Sequence, residues 1–189
     1  AIPHFHIDRA APRVVAVDAQ GLRFVNEATS HHLFAVEMQE AHATAATIPA
    51  YLITDAAGMA KHGLGMVHPH GFGLSSALAD GYIVSAPSLR ALADKLEIRA
   101  APLTDSVMQF NSRWTDGMDT DGAHDAPARS THVTPAASAP GELDWHAERS
   151  RTGPIHKPPF YAVKLYPGDI GAATGFVTDD RARMLDRQG

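Results

Sequence analysis

Residues 115–156 carry no apolar period and are dominated by Asp, Gly, Ala, Pro and Ser. A stretch of that kind offers little apolar surface to offset the entropy of ordering it. Any core must therefore come from the residues before and after it, and the fold has to close across a long irregular excursion. Excursions of this length are uncommon inside compact domains. This one is expected either to pack on something outside the chain or to be partly disordered.

The rest reads as short strands and helices in mixed order. Residues 13–17 are rich in β-branched types and read as a strand. Asp18, Ala19, Gln20 and Gly21 supply turn chemistry, with Gly21 free to take positive φ. Residues 22–26 are expected to return as the second strand of a hairpin. A helix is expected to begin near Thr29 or Ser30, with Leu33, Val36 and Ala41 at helical spacing. Residues 51–54 read as a short buried strand, followed by Asp55 as N-cap of a helix over 56–61. The glycine-rich residues 62–78 are expected to be loop, and residues 82–84 a strand. A helix over 88–97 would bury Leu89, Leu92 and Leu96. A second over 102–114 would bury Leu103, Val107 and Phe110, with Pro102 in its first turn. Residues 160–165 and 176–178 complete the strands. This order predicts an α+β fold, a small mixed sheet with helices and the long excursion, rather than a wound parallel sheet.

Composition narrows the function classes. The chain has 189 residues, 44% hydrophobic and 20% charged, which is ordinary for a globular protein. Its net charge of −5, with acidic and basic residues mixed, argues against a nucleic-acid partner. The absence of cysteine excludes disulfides, thiolate zinc and thiol catalysis, and fits a cytoplasmic protein. No apolar run approaches the roughly 20 residues of a membrane helix. The opening Ala1-Ile2-Pro3-His4-Phe5 lacks the basic-then-apolar pattern of a signal peptide. Histidine pairs at His4 and His6, His31 and His32, and His68 and His70 follow no familiar ligand spacing, so no metal is expected.

Three groups of residues, in order, carry a resemblance. The first is Gly21-Leu22-Arg23-Phe24-Val25-Asn26-Glu27. The second runs through Leu52-Ile53-Thr54-Asp55, His62-Gly63-Leu64-Gly65, Gly81-Tyr82-Ile83-Val84 and Val107-Met108-Gln109-Phe110-Asn111 to Gly117-Met118-Asp119. The third is Lys157-Pro158-Pro159-Phe160-Tyr161-Ala162-Val163-Lys164-Leu165-Tyr166-Pro167-Gly168-Asp169-Ile170-Gly171, continuing through Thr174-Gly175-Phe176. Together they resemble the substrate cap of FAD-dependent flavoproteins of the fumarate reductase and succinate dehydrogenase superfamily. The branch they most resemble is that of the 3-ketosteroid dehydrogenases.

The resemblance implies one cap domain over 1–189, with 157–189 beginning a return to an FAD-binding domain of the same parent polypeptide. It implies hydride transfer between flavin and a carbon–carbon bond next to a carbonyl, with the second hydrogen moving as a proton through a side chain. Glu27 and His62 are its candidate acid–base groups, and Asn26 and Tyr161 its candidates for contacting substrate. Gly168, Asp169, Gly171, Thr174 and Gly175 would lie against the flavin. Each has a plainer alternative: Glu27 a helix cap, His62 a loop histidine, Tyr161 a core aromatic, the glycines a turn. Two departures count against dicarboxylate substrates. Asp169-Ile170-Gly171 stands where those enzymes carry adjacent histidines, and Ala56-Ala57-Gly58-Met59-Ala60 where they carry an arginine acid. A small, mostly apolar substrate is expected. The chain has no Gly-x-Gly-x-x-Gly fingerprint, so it is not expected to bind FAD alone and reads as an excised piece. A stand-alone module binding a small ligand, without redox activity, is the alternative.

Overall fold

A computed structural model of the chain describes residues 9–27, 29–115, 153–168, 181 and 183. Most of the excursion, the strand expected over 176–178, and Asp169, Gly171, Thr174 and Gly175 lie outside the described residues.

Strands β1 (Val15–Val17), β2 (Ala50–Asp55), β3 (Ile83–Ala86) and β4 (Phe160–Leu165) form one sheet in the order β1-β2-β4-β3. All its pairings are antiparallel, so the α+β class stands while the sheet is not mixed. Val17 pairs with Tyr51, Leu52 with Val163, and Ala86 with Phe160. The last of the described strands thus lies inside the sheet, between β2 and β3.

Side chains alternate between the faces, as the pleat requires. Ala16, Leu52, Ile83, Tyr161 and Val163 enter one core. Val15, Val17, Ile53, Ala86, Phe160 and Ala162 enter the other. Helix α1 (His31–Thr44) covers the first core with Phe34 and Met38, α2 (Ala56–His62) with Met59, and α3 (Leu74–Ala79) with Ala77. Helices α4 (Leu89–Leu96) and α5 (Ala100–Thr115) cover the second with Leu92, Leu96, Leu103, Val107 and Phe110. Because both faces are covered, every residue of β2 is buried, including Thr54 and Asp55.

Local chemistry sets the helix ends. Ser30, Asp55 and Ser88 cap α1, α2 and α4, their side chains accepting from the N–H groups of Leu33, Gly58 and Ala91. Such caps satisfy donors that a helix leaves open. The face of α1 differs from the expected one: Phe34, Glu37 and Met38 are buried, while Leu33, Val36 and Ala41 are only partly so. The helix has apolar residues on more than one side, and Phe34 is fixed by an edge-on contact with Phe24, its ring centroid 5.5 Å away.

The expected hairpin is a turn with a single bridge. Gly21 takes φ +81°, and a Cβ there would lie 2.9 Å from Leu103 N, so turn and α5 meet backbone to backbone. Beyond the turn only Val17 and Arg23 pair. Side chains intercept the other groups: Ser106 Oγ accepts from Arg23 N at 3.1 Å, and Glu27 Oε1 accepts from Ala16 N at 2.9 Å. Residues 62–78 also hold more than loop, namely a tight turn at Pro69–Gly71 and α3. Leu74 and Ala77 find apolar partners there, which the glycine content hides.

Candidate functional site

His62 is the last residue of α2, the helix that begins at the cap residue Asp55. Gly63 then turns the chain with φ +75°, its N–H donating to Met59 O at 3.0 Å. A Cβ on Gly63 would meet Val67 O, so only glycine passes here. Leu64 and Val67 exchange backbone hydrogen bonds of 2.9 and 3.1 Å, closing the loop. His62 is half-buried, with Nε2 shielded from solvent. Its neighbours Met59 and Leu64 enter the same core as Tyr161, and so do Phe24 and Val25, which precede Asn26. One layer of the molecule therefore gathers the flanks of Asn26, His62 and Tyr161. Past Gly65, Met66 is 55% and Phe72 76% exposed.

Tyr161 is buried in that core, and burial pushes its phenol up from the ordinary value. It sits on β4 opposite Thr54 on one side and Ser85 on the other. Asn26 is half-buried, its carbonyl accepting from Thr29 N at 3.1 Å.

Glu27 is buried and does not cap α1; Ser30 does. Both carboxylate oxygens hold Arg23, Oε1 from Nε at 2.9 Å and Oε2 from Nη2 at 2.6 Å. Oε1 also accepts from Ala16 N, so the side chain substitutes for a neighbouring strand at the edge of β1. The Arg23 guanidinium lies 5.7 Å from the Phe110 ring. It helps to wall a surface pocket of about 240 Å³ with Leu22, Pro102, Asp105, Ser106, Gln109 and Phe110. Sequence reading gave Arg23 no role, because a spacing of four signals a side-chain pair on a helix and this segment is not helical.

Asp55 does far more than cap. Its side chain is fully buried and accepts five hydrogen bonds. Oδ1 takes Gly58 N at 2.8 Å and Arg13 Nε at 3.0 Å. Oδ2 takes Arg13 Nη2 at 2.6 Å, His156 N at 3.0 Å and Lys157 N at 2.9 Å. Burial alone would raise this carboxyl, but the Arg13 hydrogen bonds and those from Lys157, Gly58 and His156 outweigh it. They hold Asp55 well below the usual carboxylate range. Just upstream, Asn111 grips both backbone groups of Ile155, donating to its O at 2.9 Å and accepting from its N at 2.8 Å. Apart from the cap bond to Gly58, nothing local in the sequence marks these contacts, whose partners lie 42 to 102 residues apart.

Of the expected flavin contacts only Gly168 is described. It is exposed, and a Cβ built on it would meet nothing within 4 Å. No group of three or more His, Cys, Asp or Glu among the described residues comes together to hold a metal. No helix among them is long and apolar enough to cross a membrane.

The profile of a family described as "FAD binding domain" matches residues 3–189. The chain is 31% identical over 178 residues to a 4-oxocyclohex-2-ene-1-carboxylate 5-dehydrogenase of Sinomonas cyclohexanicum, covering 94% of this chain and 29% of that one. Among solved structures it is similar to a 3-ketosteroid Δ1-dehydrogenase from Sterolibacterium denitrificans, with TM-score 0.71 and 27% identity, over 97% of this chain and 32% of that one. The fold is also that of a flavocytochrome c3 fumarate reductase, with TM-score 0.63 and 18% identity, over 99% of this chain and 26% of that one. The chain spans about a third or less of the length of these relatives.

Proposed function

Given that the chain belongs to the FAD binding domain family of oxidoreductases, whose cofactor is FAD, we propose that it is the substrate-capping portion of a dehydrogenase acting beside a ketone. The observation that carries this reading is the match, along nearly the whole chain, to dehydrogenases named for oxocyclohexene and 3-ketosteroid substrates. Bound flavin supplies the hydride chemistry in such an enzyme, and the groups that hold it belong to other parts of the polypeptide. This chain contributes a layer that excludes water and carries the polar groups meeting the substrate.

Within that layer the two acid–base candidates divide the work. Glu27 has both oxygens engaged, which fits a carboxylate that holds Arg23 and closes the edge of β1. His62, half-buried at the end of α2, is the better candidate for moving a proton. Asn26 offers an amide to a polar substrate atom, and Tyr161 supports the layer from below. A dicarboxylate is disfavoured, because Ala56, Ala57, Gly58, Met59 and Ala60 offer no cation and an unpaired charge is costly to desolvate. A mostly apolar substrate with a single ketone fits the residues present.

Two measurements test the reading. Titrating the chain with FAD should show no saturable change in flavin fluorescence; binding near 1 μM, about −8 kcal/mol, would mean that the cofactor site lies here. In the intact flavoprotein a 3-ketosteroid should be turned over in preference to fumarate, and efficient fumarate reduction would overturn the substrate assignment. There, His62→Ala should lower kcat by about a hundredfold or more.

A further inference from the structure

The Asp55 carboxylate lies where three separate stretches of chain meet: Arg13 before β1, the start of α2, and residues 156–157 leading into β4. We infer that Asp55, with Arg13, is the positioning residue that sets His62 relative to the segment carrying Tyr161 and Gly168. This rests on the reading of His62 given above.

The argument is mechanical. Helix α2 has seven residues, with Asp55 as its cap and His62 at its end, so they are joined by one rod of about 10 Å. The near end of the rod is tied down by Gly58 N on Asp55 and by Ala56 N on Lys157 O at 2.9 Å. Gly58 also packs so closely on Thr54 and Arg13 that a Cβ would collide with the Thr54 hydroxyl. The far end is closed by Gly63 and the Leu64–Val67 exchange. Neither end leaves the rod room to pivot. The same carboxylate grips the arm through two consecutive N–H groups, three residues before β4 begins. Gly153, at the start of that arm, packs against the Arg13 side chain, so that a Cβ there would press on the guanidinium. A shift at Asp55 would therefore move His62 and the 157–168 segment relative to each other, without altering either directly. A displacement of about 1 Å is enough to cost a reaction about a hundredfold in rate.

The test removes both charges together, because taking one partner would strand the other in a buried position. In Arg13→Met/Asp55→Asn, the asparagine retains an acceptor for Gly58 N, so α2 keeps its cap. In the 189-residue chain, the His62 ring resonances and the amides of Gly63 to Val67 should move, although they lie a helix away from the substitutions. His156→Pro is the companion, with Arg13, Asp55 and α2 unsubstituted. Its ring replaces the N–H that bonds Asp55 Oδ2 and presses on that oxygen, so the carboxylate must shift and the same signals should move. Unchanged His62 signals in a variant that keeps the wild-type fold would overturn the inference. In the intact flavoprotein, His156→Pro should lower kcat about tenfold or more with KM within about twofold. A KM raised as much as kcat is lowered would mark Asp55 as structural only. If His62→Ala leaves kcat unchanged, the acid–base assignment fails, while the resonance measurement still decides the positioning claim.

Discussion

Three stretches of the described chain converge on Asp55, and its titration gives a direct forecast. Its folded-state pKa lies below the unfolded value of about 3.9. The stabilisation it brings is therefore complete above that unfolded value and is lost as pH falls through the folded one. Urea midpoints between pH 6 and pH 2 should drop for the wild type below about pH 4. The drop should be smaller in Arg13→Met/Asp55→Asn, which lacks this linkage; parallel curves would show that other carboxylates set the acid limit. At this scale the sequence was half legible. Asp before an Ala-rich stretch announces a cap, and the cap is there. That the same carboxylate also serves Arg13, His156 and Lys157 depends on contacts across the fold. Glu27 teaches the same lesson. Its place before α1 suggested a cap, but a neighbouring strand edge and Arg23 claim it instead.

Elements whose signal is local were legible. Ser88, Leu92 and Leu96 define α4 by cap and period, and α5 follows its Leu103, Val107 and Phe110 face. Elements defined by partners were not: residues 22–26 are as apolar as a strand, yet Ser106 takes the N–H of Arg23 that an extended pairing would use. Helix α2 yields a prediction against the usual rule. Replacing a mid-helix glycine by alanine normally stabilises by about 1 kcal/mol. At Gly58 the new methyl would strike Thr54 Oγ1 and press on Arg13, whose carbonyl Thr54 Oγ1 bonds at 2.7 Å. Gly58→Ala should therefore destabilise by about 1–3 kcal/mol, read as a lower Tm. A gain in Tm would mean the contact relaxes without cost.

For the whole molecule, the expected excursion over 115–156 lies mostly outside the described residues, which hold only its two flanks. It leaves from α5 and returns at residue 153, and Asn111 joins the two sides by gripping Ile155, whose side chain is buried in the second core. Its ends are thus held by residues that belong to the core. Replacing residues 116–152 with a linker of about ten Gly and Ser residues should leave the sheet intact and shift stability by about 1 kcal/mol or less. Loss of cooperative unfolding would show that those residues support the core. The strand order β1-β2-β4-β3 has a further consequence, in time rather than space. A ribosome delivers β2 and β3 well over sixty residues before β4, and neither has its inner partner until then. Through that interval the nascent chain carries two unpaired strand edges with nothing between them. Such non-local pairing folds slowly. Among the described strands the one between β2 and β3 is made last, as the keystone.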